Sequence, residues 1–221
     1  MKKSLVSIQK ESLHIKEITD LINRDPDLRI IRDRNLVLRY RKHFKQGGQK
    51  VVLVGGVYDM LHDGHAGYLL RCLKLGDILI VALDDDALTR KRKNDPRKPF
   101  DSEMDRARML CFACLAHIVT FRSIDEHPYD LIKLLRPDIL VTSETTADVS
   151  NRDRKLLKPY CGEVIVLPPQ SSNSTTAKFK RFAEMQGSAM AEKMLSAMNE
   201  LFKPLNITFN AVETKNDKRV S

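Results

Sequence analysis

Five short segments of this chain are apolar almost throughout: VVLVGG (51–56), DILIVAL (77–83), HIVTF (117–121), DILVT (138–142) and EVIVL (163–167). Each has the length of a strand, and none alternates apolar with polar residues as a strand with one wet face does. Between them the apolar residues recur at helical spacing. Helices are read at HAGYLLRCLKLG (65–76, with Gly76 as its natural C-cap), 101–115, PYDLIKLL (128–135), about 150–160, and from about 174 onward. Strands buried on both faces and alternating with helices call for a parallel sheet covered on each side. Right-handed crossovers then predict an α/β, doubly wound, Rossmann-like domain over residues 50–182. Such sheets take ligands beyond the carboxyl ends of their strands, so chemistry is expected after residues 56, 83, 121, 142 and 167.

Two helical extensions flank this domain. In residues 1–49, Leu5, Ile8, Ile15, Ile18 and Ile22 fall near one helix face. Asp25-Pro26 suits the first turn of a new helix, and Gly47-Gly48 ends the extension. In residues 183–221, Met190, Met194, Met198 and Leu201 form a stripe expected to pack on the core or on a second subunit, so a homodimer fits. NITFNAV (206–212) reads as a short strand before a frayed tail.

A hydrophobic fraction of 42% supplies a real core and excludes wholesale disorder. No run approaches the roughly 20 apolar residues of a membrane span. The N-terminal MKKSLVSIQKES lacks the apolar centre of a secretory signal. Four scattered cysteines (Cys72, Cys111, Cys114, Cys161) suit a reducing, cytoplasmic setting. Cys111 and Cys114 form a C-x-x-C inside an apolar helix with no second pair, and both read as core rather than metal ligands. The net charge is +9, and residues 1–50 hold 13 Lys/Arg against 6 Asp/Glu, a surplus of 7. Such a surplus can serve an anionic partner. With few aromatics and no long basic run it reads as a solvated helical face, and nucleic acid is not expected as the partner.

The most informative stretch is GGVYDMLHDGHAGYL (55–69), which leaves the first strand, forms a loop and enters a helix. His62 and His65 bracket Asp63-Gly64, and His65 lies at the helix start, where the helix dipole favours anions. Gly64 lets backbone approach a ligand closely. Two imidazoles at that place make a phosphate clamp, able to hydrogen-bond to oxygens that gain charge in a transition state. Ser174, Thr175 and Thr176 form a second hydroxyl-rich helix start, suited to N-capping and to anions. The basic stretch RKRKNDPRKP (90–99) reads as a loop after the second strand, its alternative a solvated basic loop. Arg106 would reach the same site as a permanently charged fork. Of Asp84, Asp85 and Asp86, one would touch ribose, base or acceptor hydroxyls, and two would be solvated.

Residues 50–182 resemble the cytidylyltransferase-like nucleotidyltransferase superfamily, most nearly the heptose-phosphate adenylyltransferases and glycerol-3-phosphate cytidylyltransferase. GGVYDMLHDGH is similar to the family's G-x-F-D-x-x-H-x-G-H signature, with Tyr58 for Phe. GYLLRCLKLGDILIVALDDD, the R-x-x-x-L from Arg106, RPDILV (136–141), and GEVIVLP followed by SNSTTAKFK (162–180) follow in the family order. The resemblance implies an enzyme transferring a nucleoside monophosphate from ATP or CTP to a phosphorylated small molecule, with pyrophosphate released. It implies His62, His65 and Lys93 as catalytic residues. Val57, Tyr58, Gly64, Lys91, Arg106, Ser174, Thr175 and Thr176 would bind nucleotide, and Asp59 and Asp86 acceptor. Mg²⁺ would arrive with the nucleotide, held by phosphates and water rather than a protein cage. The segment TSETTADVSNRDRK (142–155) departs from the family's glycine-and-aspartate pattern. PPQSSN replaces the cytidylyltransferase lead-in to S-T-T, which tilts the donor toward ATP. The competing reading is a nucleotide-sensing or nucleic-acid-binding protein on the same scaffold.

Overall fold

In the computed structural model, described for residues 25–144, 156–168 and 175–203, all five apolar segments are strands. They are β1 (Val51–Gly56), β2 (Ile78–Asp84), β3 (Ile118–Arg122), β4 (Ile139–Ser143) and β5 (Glu163–Leu167). Their order is β3-β2-β1-β4-β5 and every pairing is parallel. The strand order reverses at β1, so the crevice between β1 and β4 is the switch point where such sheets bind ligands. Alternate residues of β1 explain why its apolar run is continuous. Val52 and Val54 face one helical layer, with Leu69 and Leu110; Val51 and Leu53 face the other, with Val37, Leu131 and Ile132. Every β1 residue through Val54 is buried, as a central strand of a doubly wound sheet requires.

The helices are α1 (Arg34–Gln46), α2 (Asp63–Leu73), α3 (Asp86–Lys93), α4 (Glu103–Phe112), α5 (Asp130–Leu135) and α6 (Thr175–Phe202). Asp33, Asp85 and Ser102 N-cap α1, α3 and α4 with side-chain oxygens, as short polar residues do. Asp25 caps a 3-10 turn at Pro26–Arg29, with Pro in its first turn. Helix α2 closes at Lys74, not at Gly76. Gly76 is needed instead for close approach, because a Cβ there would lie 2.8 Å from the Lys50 carbonyl oxygen.

Three arginines of residues 25–50, Arg29, Arg34 and Arg41, are not part of a solvated face. Arg41, 4% exposed, donates to the carbonyls of Leu135 and Arg136 and meets the Asp138 carboxylate at 3.2 Å. Arg34 donates to Thr120, to the Phe121 carbonyl and to Glu126. Arg29 reaches the Cys111 carbonyl at 2.6 Å. These three arginines tie the N-terminal segment to the sheet domain.

Cys111 is buried as expected, but Cys114 lies beyond the end of α4, exposed and with a φ of +53°. Helix α6 runs unbroken through the boundary expected at 182/183, and the chain divides into compact units at Met1–Asn173 and Ser174–Ser221. Of the methionine stripe, Met190 and Met194 are about 60% exposed in the single chain. The helix read at residues 1–24, most of that at 150–160, and the strand at 206–212 lie outside the described residues, although Leu156 and Leu157 are helical.

Candidate active site

The loop from β1 to α2 is the most constrained segment at the carboxyl edge of the sheet. Tyr58 and Met60 both adopt positive φ, +53° and +48°, a region that non-glycine residues enter at a cost. Surrounding contacts hold them there. The Asp59 Oδ1 accepts the backbone N–H groups of Phe100 and Asp101 at 3.0 and 3.1 Å. Asp101 returns the contact by accepting the Met60 N–H at 3.1 Å, and Lys98 lies 3.6 Å from Asp59. Tyr58 folds its ring over Gly56, where a Cβ would lie 2.8 Å from it. Burial raises the Tyr58 hydroxyl pKa well above the usual phenol value.

Arg106 lies beneath this loop. It is 1% exposed and donates to the carbonyls of Asp101, Val57 and Asp84, and to the Asp86 carboxylate at 2.7 Å. The fork expected on phosphate is therefore turned inward as a brace. The cause is four acceptors converging on one buried guanidinium, which could not be left unpaired there. Asp59 and Asp86, expected at the acceptor, are likewise engaged in bracing contacts.

His62 occupies the N-cap of α2 with extended backbone, and its Nδ1 accepts the His65 N–H at 3.4 Å. In the neutral ring this places the proton on Nε2. The two imidazoles stack, with centroids 3.8 Å apart and planes 20° from parallel, and Tyr58 meets His65 edge-on at 5.4 Å. The structure thus joins His62, His65, Gly64, Val57 and Tyr58 at one helix N-terminus.

A cleft of about 530 Å³ opens at the β1/β4 switch point. Gly55, Lys91, Arg92, Arg122, His127 and Thr142 are among its lining residues, and the histidine pair is not. The two features meet along β1, since Gly55 lines the cleft and the histidine loop leaves from Gly56. The basic stretch expected as a loop is helical through Lys93, where Asn94 turns left-handed and stops α3. That geometry separates the two candidate lysines: Lys91 lines the cleft, while Lys93 is exposed and outside its lining.

The aspartate run is not solvated. Asp84 is fully buried between Arg92 and Arg122, Asp85 caps α3, and Asp86 holds Arg106. Arg92 and Arg122 were missed from sequence, although Arg122 directly follows a strand end already marked for chemistry. Ser174 lies outside the described residues. Thr175 and Thr176 open α6, in the other compact unit.

The sequence is similar to several known proteins. A family profile described as Cytidylyltransferase-like matches residues 53–191. The Bifunctional protein HldE of Syntrophotalea carbinolica is 31% identical over 179 residues, spanning 80% of this chain and 35% of its own length. The Bifunctional protein HldE of Helicobacter pylori strain Shi470 is 44% identical over 134 residues, 60% of this chain and 27% of its own length. The chain thus spans between about a quarter and a third of the length of these curated relatives. The lipopolysaccharide core biosynthesis protein from Thermoplasma volcanium GSS1 superposes with a TM-score of 0.45 at 24% identity, covering 56% of this chain and all of that one.

Proposed function

Because this chain belongs to the cytidylyltransferase-like family, we propose that it transfers a nucleoside monophosphate from a nucleoside triphosphate to a sugar or polyol phosphate. The stacked His62–His65 pair at the N-terminus of α2, on a loop braced by Arg106 and Asp59, is the observation that carries this reading. An oxygen of the acceptor phosphate attacks the α-phosphorus, the bond to the β-phosphate oxygen breaks, and pyrophosphate leaves. The nucleophile is already an anion at neutral pH, so no base and no covalent enzyme intermediate are needed. The protein's work is positioning and charge stabilisation.

His62 suits this role because its Nδ1 accepts from the helix, which places the proton of the neutral ring on Nε2. Both imidazoles would donate to phosphate oxygens that gain charge in the transition state. The α2 dipole adds to the same field. Mg²⁺ enters as part of the nucleotide substrate. The lead-in PPQSSN favours ATP as donor over CTP. Lys91, in the cleft, suits a phosphorylated acceptor.

A pyrophosphate-release screen of four nucleoside triphosphates against a panel of sugar and polyol phosphates tests the reading. Release is expected with ATP and at least one acceptor. The His65→Ala variant should lose on the order of 10²–10³ in kcat with that pair. Normal turnover by this variant would remove the imidazole from the mechanism, and no release with any pair would remove the activity.

A further inference from the structure

A buried carboxylate sits at the carboxyl end of β2 with two guanidiniums upon it. Asp84 is 0% exposed. Its Oδ1 accepts Arg122 Nε at 2.7 Å, with Arg122 Nη2 in ionic contact at 2.6 Å, and its Oδ2 accepts Arg92 Nη1 at 2.8 Å. The arginines come from different elements, the end of β3 and the last turn of α3. One cation would neutralise one carboxylate. Here two guanidiniums converge on one carboxylate, and both arginines line the β1/β4 cleft beside Lys91. The cleft's Glu126 is paired with Arg34 from α1.

Fold stability alone does not call for such a cluster. A buried ion pair contributes little net stability relative to apolar side chains of the same volume. The chain also keeps a glycine at its central strand for it. A Cβ at Gly55 would stand 2.7 Å from Arg122 Cζ, so the guanidinium crosses β1 only because that position is bare. A planar fork held rigidly at a cleft wall matches the oxygens of a phosphate.

We propose that Arg92 and Arg122, positioned by the buried carboxylate of Asp84, bind a phosphate group of the acceptor in the β1/β4 cleft. This rests on the transferase reading for the word acceptor, but phosphate binding by the arginine pair can be measured without it. Asp84 touches no substrate; it fixes the spacing and direction of the two forks.

The test uses the full chain with inorganic phosphate as probe, titrated by calorimetry, and Mg·ATP titrated in parallel. Arg92→Leu and Arg122→Leu should each weaken phosphate binding about tenfold or more, the scale of losing a charge-assisted contact, while leaving Mg·ATP affinity near that of the parent. Asp84→Asn should weaken phosphate binding as well, and Arg122→Lys should restore only part of what Arg122→Leu loses. In pyrophosphate release, Arg92→Leu should raise the acceptor KM by more than it lowers kcat, a split that general loss of structure would not produce. Arg92 is the more exposed of the pair, so its variant decides the matter if Arg122→Leu does not fold. Absence of phosphate binding by the parent chain would overturn the proposal. So would unchanged phosphate affinity in a folded Arg92→Leu protein. A parent chain that binds phosphate through these arginines yet releases no pyrophosphate with any acceptor would support the binding site and overturn only the transferase reading.

Discussion

Gly55 is the residue at which packing and electrostatics meet. An alanine methyl there would fall 2.7 Å from a guanidinium that is pinned to a buried carboxylate. The side chain cannot simply swing aside, because Asp84 would then keep one partner instead of two. Gly55→Ala should therefore cost about 1–3 kcal/mol, the usual range for overpacking a filled site, read as a lower urea midpoint. An unchanged midpoint would show that Arg122 is freer than its contacts indicate. Arg106 teaches a related lesson. An arginine early in a helix beside a phosphate-binding loop reads from sequence as a phosphate ligand. Its donors instead meet backbone carbonyls at the ends of β1 and β2, which no local pattern reveals.

At the scale of elements, the N-terminal segment illustrates how charge can stand in for apolar packing. Helix α1 buries Val37 fully, but its buried arginine makes the longer-range connection. Arg41 caps the last carbonyls of α5, where the helix dipole favours a cation, and also reaches Asp138 at the start of β4. Asp138 in turn accepts the Val51 N–H at 2.8 Å, so one contact network joins α1, α5, β1 and β4. Arg41→Ala leaves these acceptors without the guanidinium and should lower stability by about 1–3 kcal/mol. A thermal melt matching the parent protein would show that α1 is held by its apolar face alone.

Across the whole molecule, one histidine outside the active site links stability to pH. His117 Nδ1 accepts the Leu79 N–H at 2.9 Å while the His117 backbone N–H donates to the Leu79 carbonyl at 3.0 Å, joining the starts of β2 and β3. Burial lowers its pKa, and the Arg29 guanidinium lowers it further. The folded chain therefore takes up this proton less readily than the unfolded chain. The stabilisation is complete above the unfolded value, about 6.5, and is lost as pH falls below it toward the folded value. Urea midpoints should drop between pH 7.5 and 5.5, and His117→Asn, which keeps an acceptor but does not titrate, should flatten part of that slope. Equal slopes in the two proteins would exclude His117 as a source.

The sequence by itself determined the parallel α/β sheet, all five strands, and the loop that carries His62 and His65. These features are local: a doubly buried strand must be apolar throughout, and a strand–glycine–histidine–helix order places imidazoles at a helix N-terminus wherever the domain folds. Only the tertiary structure decided which charged residues line the cleft and which brace the fold. Asp59, Asp86 and Arg106 turn inward, Asp84 becomes an anchor, and Arg92 and Arg122 reach the cleft. A charged side chain takes its role from partners brought near by strand order, and for Arg41 and Asp138 those partners are 97 positions apart in the chain.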